Sequence, residues 1–455
     1  MCSMSLTSKA RSTITKRATR PMKPNPWRSL PKSRLRSRLS PLRSSRRISD
    51  DPRSMEEDKA FSHSAASSAL GYLYQVRYAL LEALRRLRNS QEFLVNIETL
   101  DDIVFDAQGQ PTELLQTKHH VNNTADLTDA SPDLWKSLRI WCERLIANEL
   151  PDDALFFLIT TALAGEGHAA SYLKAGAARD VQQAMLRLNA TAESSRGKAN
   201  KVAYEAYRQL NLKQRELLLE RVVIIDGSPN IQALDRELKE VLFFAVEERF
   251  FVPFLVRLEG WWYGRVIRQL AAPKADPILA EELSAETSLL REQFKLESLP
   301  IDDDIMTASV DATGYHDRLF VHQLRLIQVN DTRILYAIRN FFRAFEQRSR
   351  WLREDLLLVG ELDRYEDQLI EEWDVAFQQM SDELGESAAE DAMKSAAQTL
   401  YKWVESGTHR QIRPGVTESF VSRGTYQMLS DAQRVGWHLQ FKERLKELLE
   451  PKEVS

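Results

Sequence analysis

Three strand-length segments, joined by links too short for a crossover, lie between Glu92 and Lys118. Glu92-Phe-Leu-Val-Asn-Ile-Glu98 is followed after a tight connection by Asp101-Asp-Ile-Val-Phe-Asp106. Past the turn Asp106-Ala-Gln-Gly-Gln-Pro111 comes Glu113-Leu-Leu-Gln-Thr-Lys118. Such links permit only antiparallel neighbours. Ahead of them, from about Ala65 to Arg88, Leu73, Val76, Leu80, Leu84 and Leu87 recur at steps of three and four, which predicts one face of an amphipathic helix. Ser131-Pro132-Asp133 reads as a helix start, with a serine N-cap, proline at the first helical position and an acid in the first turn. That helix continues through Leu134, Leu138, Trp141 and Leu145. The continuous apolar run Ala154-Leu-Phe-Phe-Leu-Ile-Thr-Thr161 suits a strand covered on both faces. A polar helical stretch over about 170–220 and a second buried run, Val222-Val-Ile-Ile-Asp226, complete an α/β unit.

Beyond residue 230 nearly everything reads as helix, and the scarcity of Gly and Pro, 16 each, agrees with a mainly α-helical C-terminal half. At 455 residues the chain exceeds what one core usually supports. The expected division is a basic tail over 1–60, an α/β domain over 61–230, a helical connector over 231–300, and a helical partner-binding or oligomerisation domain over 301–455. No stretch approaches 18 consecutive apolar residues, so no transmembrane helix is predicted. The cysteines are Cys2 and Cys142, too few and too far apart for a disulfide framework or a cysteine zinc site. A reducing compartment, the cytoplasm, is the expected location.

Charge is unevenly spread. Residues 1–54 hold 15 Lys+Arg against Asp50 and Asp51, a net of +13, which leaves −17 for the rest of a chain whose total is −4. Rich in Ser and Pro and without apolar periodicity, this tail is expected to be disordered. A nucleic-acid arm, an organellar transit peptide and an over-extended reading frame with its true start at Met55 are the competing accounts, and the third is favoured. Farther on, Arg339, Arg343, Arg348, Arg350 and Arg353 interleave with Phe341, Phe342, Phe345 and Trp351, while residues 361–390 hold eleven acids and the single base Arg364. Two complementary helices packed as a hairpin are expected there, ahead of a phosphate-binding face.

The residues that carry chemistry are on the strands. Alternate strand residues share a face, so Gln116 and Lys118 point the same way, and a hairpin places Asp102 beside them. An acid, an amide oxygen and a lysine around one point suit phosphodiester hydrolysis. Mg²⁺ takes oxygen ligands and polarises the phosphoryl group, and a lysine steadies developing negative charge. Taken singly these signals are weak: QxK occurs by chance, and an Asp-Asp pair between strands is usually a turn. The weight lies in their order within helix–strand–strand–strand–helix–strand.

The pattern Asp102…Gln116-x-Lys118 resembles the D…(E/Q)xK core of the PD-(D/E)xK nuclease superfamily, a restriction-endonuclease-like fold. The fuller string Gly71-Tyr-Leu-Tyr-Gln75, Glu98-x-x-Asp-Asp102, Gln116-Thr-Lys-His-His120 resembles the double-stranded-DNA endonuclease domain of bacterial antiphage effectors, notably in Lamassu or ABC-three component systems. That similarity spans about residues 65–230. Gly260-Trp-Trp262, Arg343 to Trp351, Arg423-Gly-Thr-Tyr426 and Val435-Gly-Trp-His438 resemble the helical half of the same effectors.

The resemblance implies a metal-dependent endodeoxyribonuclease using Mg²⁺ or Mn²⁺. Asp102 would be the principal metal ligand, Gln116 the second and Lys118 the catalytic lysine, with Glu98 and Gln75 in support and Glu98 a further metal ligand. Gln116 departs from the commoner glutamate, and a neutral amide binds a cation less strongly, so a second acid, Glu98 or Glu82, is expected to help. Glu113 is turned to the other face. His119 and His120 are read either as DNA or metal contacts or as packing, and His438, lacking a partner at helical spacing, is not expected to bind metal. No GxxxxGK[ST] loop is present, so the family's ATPase would be another polypeptide, an SMC-like ABC subunit accompanied by a small third subunit. Double-stranded DNA is the expected substrate and a homo-oligomer the expected active form. The alternatives are a non-catalytic DNA-binding or adaptor subunit with a degenerate core, and a helical scaffold with a fortuitous QxK.

Overall fold

The computed structural model describes residues 52–449, apart from 108–109, 120–125, 150, 196, 386 and 408, with side chains from residue 68 to 448. The basic residues 1–51 and His120 lie outside the described residues. From Ser62 onward the chain forms one compact unit.

The first helix, α1 (Pro52–Leu87), begins well before the expected Ala65. Its burial also differs from a single stripe: Tyr74, Val76, Tyr78–Leu81, Ala83 and Leu84 are all closed off, whereas Leu73 is 43% exposed. The reason is that α1 is covered on two sides, by the sheet and by later helices. Strands β1 (Leu94–Ile97), β2 (Ile103–Ala107) and β3 (Gln110–Lys118) follow as an antiparallel meander. The β2–β3 hairpin is tighter than expected, since pairing continues to Ala107 and Gln110. Pro111, which has no N–H to give the ladder, falls beside a bulge at Phe105/Asp106, where a strand tolerates proline.

Helix α2 (Pro132–Ile146) starts at Pro132 as expected, but the Ser131 side chain makes no cap bond. It carries the chain over to β4 (Leu155–Thr160), parallel to β3. The polar stretch resolves into α3 (Ala169–Tyr172), α4 (Val181–Ser194), α5 (Lys201–Gln209) and α6 (Leu212–Arg221). These lead to β5 (Val222–Ile225), parallel to β4. Parallel neighbours need such crossovers.

The residues past 230 rejoin the sheet. After α7 (Leu234–Val241) and α8 (Phe251–Ala271), strand β6 (Ile278–Leu279) pairs with β1, giving the order β5-β4-β3-β2-β1-β6. Where β6 ends, the Gln269 amide takes over as a strand mimic, accepting from Ile97 N at 3.2 Å and donating to Val95 O at 3.1 Å. Both sheet faces are buried. Val104, Leu114, Phe156 and Leu158 face a core shared with α2–α6. Val95, Ile103, Phe105 and Leu115 face a second core that is continuous with the helical half. Trp262 of α8 donates from Nε1 to Val76 O at 2.9 Å, and Arg77 pairs with Glu259 and Asp235.

The remainder is helical: α9 (Ala280–Gln293), α10 (Asp303–Thr307), α11 (Leu319–Leu326), α12 (Asp331–Arg353), α13 (Glu361–Leu384), α14 (Glu390–Ser406), α15 (Ser419–Asp431) and α16 (Phe441–Leu449). The expected hairpin of arginine and acid helices is not what forms. The main neighbour of α12 is α15, and Gly424 permits the close approach: a Cβ there would stand 2.1 Å from Asn340 O. Arg348 does reach α13, at Glu366, but Arg350 pairs with Asp304 at 2.7 Å and Arg343 donates to Met306 O. The acids of α13 are met by Arg413 at Glu361 and Arg434 at Asp367. Net charge over a window shows that ions will be paired but not by which element.

Trp262, Trp351 and Trp437 are fully closed inside this chain's own core. Trp351 donates to Pro300 O at 2.7 Å, and Trp373 donates to Gly436 O at 2.9 Å. Among the described residues no helix is long and apolar enough to cross a membrane.

Candidate active site

The β1–β2 connection begins at Glu98, whose φ of 54° lies in the left-handed region. This reversal brings Glu98 N to Asp102 O at 3.1 Å and sets Asp101 and Asp102 at the mouth of β2. The Gln75 amide on α1 donates to the same carbonyl at 2.6 Å. Gln75 therefore pins the turn through the backbone, and it is buried there at 5% exposure.

Asp102, Gln116 and Lys118 converge. Asp102 Oδ2 accepts from Thr117 N at 2.8 Å and Thr117 Oγ1 at 3.1 Å, and its Oδ1 accepts from Gln116 Nε2 at 3.2 Å. Lys118 Nζ donates to Gln116 Oε1 at 2.8 Å and stands 3.9 Å from Asp102 Oδ2. Strand alternation explains the shared face: Leu114, at the same parity, lies in the core under α2, and Leu115 in the other. Asp102 and Lys118 each keep 20% of their side-chain surface.

Asp101 is a member of this group that the sequence reading did not single out. It is 6% exposed, accepts from Trp141 Nε1 at 3.0 Å and from Gln116 Nε2, and receives its neighbour's N–H from Asp102 at 3.3 Å. Burial pushes its carboxyl up to about 7; the nearby Asp102 charge adds to that, while the Trp141 bond, the Asp102 N–H and Lys118 oppose it. No sequence signal gives which member of an Asp-Asp pair turns inward, because that follows from the left-handed Glu98 and the placement of α2.

Glu98 is exposed on the rim of a cleft of about 560 Å³ that Asp101, Asp102, Gln116, Glu143 and Arg144 also border. Glu82 is engaged by Arg85 and Arg86 at 2.8 and 2.6 Å, and Glu113 by Arg86. His119 packs its ring on Tyr74 at 4.6 Å and accepts from Ile231 N at 3.3 Å. His438 Nδ1 accepts from Gln440 N at 3.1 Å. Cys142 is buried, which pushes its thiol up to about 12.

Among the described residues no three Asp, Glu, His or Cys side chains gather as a metal cluster. The oxygen donors nevertheless suit a hard cation. Asp102 Oδ2 and Gln116 Oε1 both turn toward one positive charge, the Lys118 ammonium, and Mg²⁺ is commonly held by one or two carboxylates plus water and substrate oxygens.

Residues 320–445, from α11 into α16, match the family described as C-terminal domain 7 of the ABC-three component (ABC-3C) systems. The strand-borne site lies outside that match. None of the curated proteins matches the chain. Among solved structures it is similar to the Moraxella osloensis Cap4 SAVED/CARF-domain containing receptor, at 13% identity over 61% of this chain and 68% of that one. The TM-score is 0.29, and similarity at that level carries no argument.

Proposed function

We propose, from the C-terminal match to ABC-three component systems, that this chain is the nuclease effector of such an antiphage assembly. Its substrate is double-stranded DNA, and a separate SMC-like ABC ATPase, with a small third subunit, restrains it. The observation that carries the reading is the meeting of Lys118 Nζ with Gln116 Oε1 at 2.8 Å beside Asp102. Asp102 and Gln116 would hold Mg²⁺ or Mn²⁺, which supplies Lewis-acid polarisation of the phosphodiester.

The chain's own residues then have distinct tasks. Thr117 orients the Asp102 carboxylate through its N–H and hydroxyl. Lys118, a three-donor cation at the strand end, neutralises charge that builds on the phosphoryl oxygens. Gln75 holds the turn that carries Asp102. A single site cuts one strand, so double-strand cleavage calls for a homo-oligomer presenting two sites. Purified chain, freed of partners, is incubated with supercoiled plasmid and Mg²⁺ or Mn²⁺; strand breaks that a chelator abolishes support the reading.

One observation favours a second reading, a non-catalytic DNA-binding or adaptor subunit. Gln116 directs its amide N–H₂ toward both aspartates, so a neutral donor already meets their carboxylate oxygens. In that case no divalent cation elicits cleavage, while the ABC-3C assembly still forms.

A further inference from the structure

Gln116 is closed off at 3% exposure, and the two ends of its amide face opposite chemistry. On one side are acceptors, Asp101 Oδ1 and Asp102 Oδ1; on the other is the Lys118 ammonium, a pure donor. Turned over, the amide would set oxygen against carboxylate oxygen and N–H₂ against ammonium. Asp101 is itself held: Trp141 Nε1 donates to its Oδ2 at 3.0 Å, and Trp141, fully buried, stacks on Phe156 of β4 with ring centroids 5.4 Å apart.

We propose that Asp101 is a positioning residue that fixes the Gln116 amide, so that Oε1 rather than the N–H₂ is presented to Lys118 and to the cation site. This rests on the nuclease reading and deepens it. A glutamate at 116 would need no such device, because both its oxygens accept. A glutamine offers one oxygen, and an acceptor behind it decides which way that oxygen points. Asp101 thus acts as outer groups commonly do, orienting a ligand it does not replace.

The test is an exchange of donor and acceptor. Asp101→Asn keeps the shape but brings an N–H₂ to this pocket. Divalent-dependent plasmid cleavage should fall about 10- to 100-fold. Adding Gln116→Glu in the same chain supplies an acceptor on either side and should recover most of the loss. Gln116→Glu alone, which faces a carboxylate with two carboxylates, should not match the wild type. A second readout needs no cation: in metal-free protein with ¹⁵N-labelled glutamine, the Gln116 side-chain N–H₂ should exchange with solvent about tenfold faster in Asp101→Asn than in wild type.

Wild-type cleavage by Asp101→Asn, or a double variant no better than that single one, would overturn the proposal. If Asp101→Asn alone does not fold, recovery of folded, cleaving protein in the double variant decides the question. If wild type cuts under no divalent cation, the nuclease reading fails. The exchange measurement then decides alone, an unchanged Gln116 N–H₂ overturning the proposal.

Discussion

Trp141 and Asp101, forty positions apart and both closed to solvent, are joined by a 3.0 Å hydrogen bond from the indole N–H to Oδ2. The bond ties α2 to the turn that carries the candidate site. Trp141→Phe removes the donor and leaves a buried carboxyl oxygen without it, along with a small void. Such a loss should lower stability by roughly 2–4 kcal/mol. Denaturant unfolding of the two proteins checks this, and an unchanged midpoint would mean that the turn is held by other means.

The crossing of α12 and α15 gives a prediction of opposite signs at two glycines. Gly424→Ala would drive a Cβ to 2.1 Å from Asn340 O and 2.4 Å from Ala344 Cβ, so the helices must part. The expected cost is about 1–3 kcal/mol or more. Gly260→Ala, at an exposed position of α8 with nothing within 4 Å of the new Cβ, should instead stabilise by about 0.5–1 kcal/mol through helix propensity. Thermal melts of the two variants measure both, and equal shifts would refute the packing account.

Acid should weaken the helical half through His438. Its ring is buried, Nδ1 accepts from Gln440 N, and Nε2 stands 3.7 Å from Glu390 Oε1. Burial holds its pKa below the ordinary value; Glu390 opposes that, while Arg444 and Lys394 add to it. The unfolded chain takes up this proton near pH 6.5 and the folded chain only at lower pH. Stability from a neutral His438 is therefore complete above about pH 6.5 and falls as pH drops toward the folded pKa. His438→Asn keeps an acceptor for Gln440 N but cannot titrate. The advantage of wild type over this variant should shrink between pH 7.5 and 5.5 in urea titrations, and a constant gap would exclude His438 as the source.

Much of this architecture was legible in sequence. Short links dictated the antiparallel β1–β2–β3 meander, and the unbroken apolar runs gave β4 and β5, although β5 buries only its Val222 and Ile224 face and leaves Ile225 39% exposed. Strand alternation placed Gln116 and Lys118 together, with Asp102 beside them. What periodicity could not supply was long-range geometry. Leu73 shares the helical spacing of Val76 and Leu80, yet it is left 43% exposed. Asp101 is distinguished from Asp102 by a left-handed residue three positions back and a tryptophan forty positions on. The two-residue β6 is too short to show a pattern of its own, and its partner β1 lies far earlier in the chain. Arginines on α12 find acids on α10 and α13 because α15 occupies the face that a hairpin would have used.

Plasmid cleavage by wild type and Lys118→Ala in the same Mg²⁺ buffer bears most directly on the proposed chemistry. Lys118 retains solvent contact and pairs only with neighbouring site groups, so its truncation should cost about 1 kcal/mol of stability or less. Loss of a donor aimed at developing phosphoryl charge should slow cleavage by about 100- to 1,000-fold. A folded Lys118→Ala protein that binds DNA but does not cut it is the predicted result. A variant that cuts as fast as wild type would contradict it.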